Sequence, residues 1–152
     1  MSVTIQETPF DIAAEYRALK ASGLDVGAVV TFTGSVRDIN EDDAVTGLRL
    51  EHYPGMTEKE IEKILAEAAN RWQVIACRVI HRVGDLLPGD DIVYVGVASS
   101  HRADAFQAAA FIMDFLKTRA TFWKKEETVD GQRWLTTRQS DVEAADSWQK
   151  PS

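Results

Sequence analysis

The sequence predicts a single α+β domain with a mixed or antiparallel sheet, and three observations carry that prediction. Strand-like segments come in pairs that alternate with amphipathic helices. Asp130-Gly131 lies between two further strand-like segments, the strongest short-range hairpin signal there is. No internal repeat or low-complexity linker divides the 152 residues, a length at which one core is normal. Residues 1–148 are expected to form the domain, and residues 149–152 a disordered tail.

The elements follow in chain order. Asp11 to Ser22 reads as a short helix ended by Gly23. Gly27 to Val36 is β-branched and aromatic, hence a strand, and the acidic stretch Arg37 to Ala44 reads as a loop. Val45 to Tyr53 alternates, with Leu48, Leu50 and His52 on one side. After the Tyr53-Pro54-Gly55 turn, Thr57 and Glu60 have the spacing of a capping box, and Met56 and Ile61 that of a hydrophobic staple. Ile61, Ile64, Leu65, Ala68 and Trp72 then keep a helical period. Val74 to Val83 and Asp91 to Ser99 are strands joined through Gly84 and Pro88-Gly89. His101 to Lys117 is a second long helix, capped by Ser99 or Ser100, with a stripe of Ala105, Phe106, Ala109, Met113 and Leu116. Phe122 to Val129 and Gln132 to Thr137 make the C-terminal hairpin, followed by a polar tail.

Composition narrows the function. Hydrophobic residues make up 45% and charged residues 27%, ordinary for a soluble protein. No apolar run is long enough to span a bilayer, and the N-terminus shows no secretory signal. The single cysteine, Cys77, forms no internal disulfide, sits among apolar neighbours and reads as a buried small hydrophobe. These features predict a cytoplasmic domain. Acidic residues outnumber basic ones, 24 to 17, and the net charge of −7 argues against nucleic acid or a membrane surface as partner. His52, His81 and His101 have no metal-ligand spacing, so no metal is expected. P-loop, G-x-G-x-x-G and G-x-S-x-G motifs are all absent.

An anionic ligand would therefore need a local basic cluster, and Lys117 to Lys125 is one, with four cations and no acid. Lys117 closes the second long helix, where the dipole also favours a cation. Lys124 shares a strand face with Phe122 and Glu126, while Trp123 and Lys125 share the other. A lysine among large aromatics is a candidate for a lowered pKa and proton transfer. Arg37 follows a strand end, as either a surface residue or an anion clamp. His101-Arg102 opens the helix that Lys117 closes, a natural phosphate site. Sixteen steps of about 1.5 Å hold the two helix ends roughly 24 Å apart, so one small substrate cannot touch both. Either one end alone is functional, or a second copy of the chain brings its His101-Arg102 to Lys117 in a symmetric dimer. The second arrangement is the one expected.

The strings TFTGSVRD-N (Thr31 to Asn40), LEHYPGMTE (Leu50 to Glu58), HRVG-L-PGD (His81 to Asp90), SSHRADAF (Ser99 to Phe106) and MDFLKTRATFWKKE (Met113 to Glu126) closely resemble the molybdopterin synthase catalytic-subunit family. The match runs from Gly27 to Trp148. One departure is Thr121, where the family usually has proline. The resemblance implies an α/β hammerhead-type fold and a homodimer that binds a small ubiquitin-like sulfur-carrier subunit at each end, giving a heterotetramer. It implies sulfurtransferase activity, moving sulfur from the carrier's C-terminal thiocarboxylate to cyclic pyranopterin monophosphate (precursor Z). The product is molybdopterin, so no resident cofactor is implied. By position, substrate contacts fall on Ser35, Val36, Arg37, His101, Arg102, Lys117, Lys124, Lys125 and Glu126, with Lys117 and Lys124 catalytic. The alternatives are a non-catalytic dimeric module that docks a ubiquitin-like partner, and a phosphate-ester enzyme that acts without one.

Overall fold

The computed structural model describes residues 1–40, 43–135 and 138–149. The first half of the chain forms β1 (Ser2–Gln6), α1 (Ile12–Lys20), β2 (Ala28–Ser35), β3 (Ile39–Asn40), β4 (Asp43–His52) and α2 (Met56–Arg71). The second half forms β5 (Ala76–Arg82), β6 (Gly84–Leu86), β7 (Asp91–Ser99), α3 (Arg102–Leu116), β8 (Phe122–Thr128), β9 (Gly131–Leu135) and α4 (Gln139–Asp146). A 3-10 turn, Ser147–Gln149, follows. The predicted α+β class, with two long helices and a C-terminal hairpin, is the observed one.

Two sheets build the domain. The first has the order β1-β5-β7-β2 and the second β3-β4-β8-β9, with β6 also paired to β4. Only β1 runs parallel to its neighbour, so the first sheet is mixed and the second antiparallel. Val79 opposes Val95 and Cys77 opposes Val97, and all four are buried. Helices α2 and α3 cover that face with Ile61, Ile64, Leu65, Ala108, Phe111 and Ile112. The opposite face receives α1 through Leu19, packed on Ile80, Tyr94 and Ala98. Helices on both faces explain why β7 is apolar almost throughout rather than alternating. The chain passes from the first sheet to the second within Ala76–Leu86, and Val36, Leu48, Leu50, Val83 and Leu86 fill the junction.

Several local expectations are corrected. β1 carries too short a pattern to announce itself; its place comes from pairing with β5, 70 residues or more away. β3 breaks the expected Arg37–Ala44 loop by pairing with β4, and Gly84 belongs to β6 rather than to a simple connection. The polar tail contains α4, and Gln149 ends the 3-10 turn. The hairpin turn is Val129-Asp130, one residue earlier than expected, because Thr128 pairs with Gly131 at φ 125°. Thr136 and Thr137, expected in the second hairpin strand, lie outside the described residues, as do residues 150–152 of the tail. In α3 the buried residues are Ala105, Ala108, Ala109, Phe111, Ile112 and Leu116, whereas Phe106 is 63% exposed. His101 is the N-cap without a side-chain bond, although the Ser99 hydroxyl accepts from the His101 N–H at 3.1 Å.

The start of α2 is the most informative correction. Gly55, at φ 86°, is the N-cap, and Glu58 rather than Glu60 reaches back to accept from its N–H at 2.6 Å. Met56 is 54% exposed, so no staple forms. Thr57 is fully buried inside the helix. Its hydroxyl accepts from the Tyr53 N–H (3.0 Å) and donates to the Thr121 carbonyl (2.9 Å), tying the end of β4 to the connection between α3 and β8. Replacing Thr57 with valine keeps the volume but strands both backbone groups. The variant is expected to lose about 1–3 kcal/mol, read as a lower denaturation midpoint at an unchanged m-value, and Thr57→Ser should recover most of it. Because Thr121 accepts through its carbonyl, proline there would preserve the same bond.

Candidate functional site

A cavity of about 830 Å³ opens where the C-terminal end of α3 meets both sheets. Its floor is β2 and β7, through Phe32, Gly34, Ser35, Ile92 and Val93. Met113, Leu116 and Lys117 close one side, and Phe122, Lys124, Arg133 and Leu135 the other. The start of α4 completes the wall with Arg138, Gln139, Ser140 and Asp141.

Four expected site residues meet here: Ser35, Arg37, Lys117 and Lys124. The Ser35 hydroxyl is bonded to Asp91 Oδ1 at 3.1 Å. Lys117 is the C-cap of α3, its N–H held by the carbonyls of Met113 and Phe115, so its side chain leaves the helix end directly at the cavity. Lys124 arrives by strand alternation, on the same face of β8 as Phe122 and Glu126.

The other expected residues stand elsewhere. Val36 is buried in the junction core, its backbone holding Asp90 and Gly89 at 2.9 and 2.8 Å. Lys125 lies on the opposite strand face, its Nζ 5.5 Å from the Trp134 ring centroid. Glu126 is buried and does not line the cavity; it pairs with Arg133 at 2.6 Å and so orients a guanidinium that does. His101 and Arg102 are exposed at the opposite end of α3, outside this chain's cavity, as the helix-length argument required.

Sequence reasoning missed several of the lining groups. Arg133 opposes Glu126 in the β8–β9 register, and Arg138 precedes a helix hidden in the polar tail. His81 shows in the sequence only as a histidine without metal-ligand spacing. It is buried, with its ring stacked on Phe122 (4.0 Å between centroids, 21° between planes) and Nδ1 2.9 Å from the Arg82 carbonyl.

The electrostatics are one-sided. Five cations line the cavity (Arg37, Lys117, Lys124, Arg133 and Arg138) against one acid, Asp141, in a chain whose net charge is −7. Burial, reinforced by Lys117 nearby, lowers Lys124 to about 8, so a useful fraction of its amine is neutral near pH 7. Burial, with Lys124 and Lys117 adding to it, holds His81 down to about 3, so it is a neutral imidazole. Cys77 lies buried in the core, where desolvation raises its thiol to about 11, unsuited to nucleophilic attack. Among the described residues no three His, Cys, Asp or Glu side chains gather as a metal would require. No described helix is long and apolar enough to cross a membrane. The chemistry available to this arrangement is anion binding with proton transfer by an amine.

Comparison with known proteins gives a consistent family. The model of the MoaE protein family matches residues 5–119. The molybdopterin synthase catalytic subunit of Vibrio cholerae is 56% identical over 147 residues, 97% of each chain. Among solved structures, the molybdopterin biosynthesis MoaE protein from Burkholderia ambifaria superposes with a TM-score of 0.84 at 48% identity, covering 99% of both chains. Molybdopterin synthase from Staphylococcus aureus gives 0.81 at 32% identity, over 88% of this chain and 96% of that one. A complex of subunits 1 and 2 of molybdopterin-converting factor from Helicobacter pylori shares the fold, with a TM-score of 0.73 at 22% identity over 90% and 91% of the two chains.

Proposed function

Because the chain belongs to the MoaE family of molybdopterin synthase catalytic subunits, sulfur-transferring enzymes of molybdenum cofactor biosynthesis, we propose a division of labour for its cavity. The reactants are both anionic. One is the C-terminal thiocarboxylate of a ubiquitin-like carrier, and the other is cyclic pyranopterin monophosphate. Two successive carriers each deliver one sulfur, the cyclic phosphate opens, and the pterin leaves as a dithiolene. Lys117 is the principal acid/base and holds the acyl oxygen of the carrier. Lys124 assists in proton transfer and stabilises developing negative charge. Arg37 clamps the phosphate together with His101 and Arg102 of a second copy. Ser35 lines the site, and Glu126 shapes it by orienting Arg133. The reaction takes place in the cytoplasm, in a homodimer with a carrier docked at each end.

The observation that carries this reading is the convergence of five cations on one cavity of an acidic chain, among them a half-buried lysine with a lowered pKa. A module that only docked a partner would gain nothing from a desolvated amine. The sulfur arrives on the carrier, so the buried Cys77 is not needed.

Mixed dimers test the shared site. Arg102→Ala and Lys117→Ala homodimers should each be inactive with thiocarboxylated carrier and the pterin. Dimers holding one chain of each kind contain one intact site and should regain activity. No recovery in the mixed dimers would overturn sharing between copies.

A further inference from the structure

Arg133 lines the cavity without a part in the division of labour proposed above, and it is held more firmly than a surface arginine. It stands directly opposite Glu126 in the β8–β9 register. Its Nε and Nη2 both donate to Glu126 Oε1, at 3.0 and 2.6 Å. Glu126 is buried, whereas the Arg133 side chain keeps 30% of its surface exposed. A buried ion pair adds little net stability, because desolvation offsets its attraction. What this pair does is fix the direction of a guanidinium at the cavity wall. A guanidinium carries five N–H donors, enough for Glu126 and for an oxyanion ligand.

The placement of Arg133 says which anion that is. Lys124 and Leu135 form the next cross-strand pair on the same face, so Arg133 and Lys124 are diagonal neighbours across the hairpin. Arg37, which takes the phosphate in the reading above, stands apart from them, just past the end of β2 on the floor side. The back of the hairpin wall is aromatic and exposed. Trp123 lies against Tyr53 with ring centroids 5.6 Å apart, Trp134 lies 5.5 Å from Lys125 Nζ, and all three rings are exposed. Trp134, next to Arg133 in the chain, also reaches the cavity. Exposed tyrosine and tryptophan rings are the groups that protein interfaces favour. The protein reactant is therefore the one that meets this wall, and the anion it brings is its own C-terminus. We propose that Arg133 is a specificity-determining residue for the carrier: braced by Glu126, it binds the terminal thiocarboxylate beside Lys124. The spent carrier ends in a carboxylate of the same charge and is held by the same guanidinium. The proposal rests on the reading of the carrier as sulfur donor to this cavity.

Carrier binding, measured by calorimetry without turnover, tests it. The probes are the carrier ending in a carboxylate and the same carrier ending in a carboxamide. The parent should bind the carboxamide about 10- to 100-fold more weakly. In Arg133→Gln that ratio should shrink by about tenfold. Arg133→Lys should fall between, because an ammonium keeps the charge and loses the fork. Arg133→Gln leaves Glu126 buried without its guanidinium, so a double variant with Glu126→Gln removes both charges and should show the same reduced ratio. In the parent, the NMR resonance of the Arg133 Nε–H should move with the carboxylate carrier and stay with the carboxamide, a readout that requires no variant to fold. An undiminished ratio in the variants, or an Nε–H signal indifferent to the carrier's end group, would overturn the proposal. With an undiminished ratio, a raised KM for the pterin would reassign Arg133 to the phosphate, and a lowered Tm alone would leave it a brace for the hairpin. If the ratio behaves as expected but the parent moves no sulfur to the pterin, tail recognition stands and the assigned reaction falls.

Discussion

Lys117→Ala is expected to lose about 10²- to 10⁴-fold in turnover while binding the carrier with unchanged affinity and unfolding at the parent temperature. The structural reason is that the Lys117 side chain lends the fold little support. Its side chain is exposed, and as the C-cap of α3 it uses its backbone N–H, which alanine also has. The variant therefore separates chemistry from assembly. Turnover near the parent level would remove Lys117 from the mechanism. Loss of carrier binding alongside turnover would recast it as a docking residue.

Lys124→Met should behave differently, losing activity and gaining stability. Below about pH 8 the folded protein holds a charged amine in a half-buried place; above the ordinary lysine value of 10.5 both folded and unfolded chains carry it neutral. Between these limits the unfolded chain binds more protons, so stability rises with pH. At pH 7 the full penalty applies, and removing the amine should stabilise the fold by on the order of 1–3 kcal/mol, a Tm several degrees higher. The parent should also gain stability from pH 8 to 10.5, whereas the methionine variant should not. The turnover of the parent should rise through a limb near pH 8 as the amine becomes free base. A variant that is inactive and less stable than the parent would show that Lys124 supports the fold, and would remove the reading of a desolvated catalytic amine.

What the sequence revealed of this site depended on whether the signal was local. Lys117 and Lys124 stand in one basic run, and the alternation Phe122, Lys124, Glu126 told which face of the strand each would take. The helix spacing also showed that His101 and Lys117 cannot serve the same small molecule within one chain. Arg133 and Arg138 were invisible because their positions come from pairing and packing. Arg133 reaches the cavity through its register with Glu126, and Arg138 through α4, an eight-residue helix too short and polar to show a period. Thr57 misled because its spacing with Glu60 satisfies a capping rule, while the backbone prefers Gly55, which tolerates φ 86°. Phe106 misled because a large apolar residue beside a helical stripe was counted as part of it; alanines at 105, 108 and 109 fill that face instead.

The far end of the α4 wall is anchored by Trp148. Its Nε1 donates to Asp114 at 2.7 Å, its carbonyl accepts from Arg71 at 2.6 Å, and its ring meets Trp72 and Phe111 edge-on. Arg138 and Asp141 face the cavity at one end of this lever while the indole fastens the other to α2 and α3. The shape of the cavity is thus governed from Trp148, so a truncation or fusion junction placed ahead of the indole would loosen the cavity wall while leaving Lys117 and Lys124 in place.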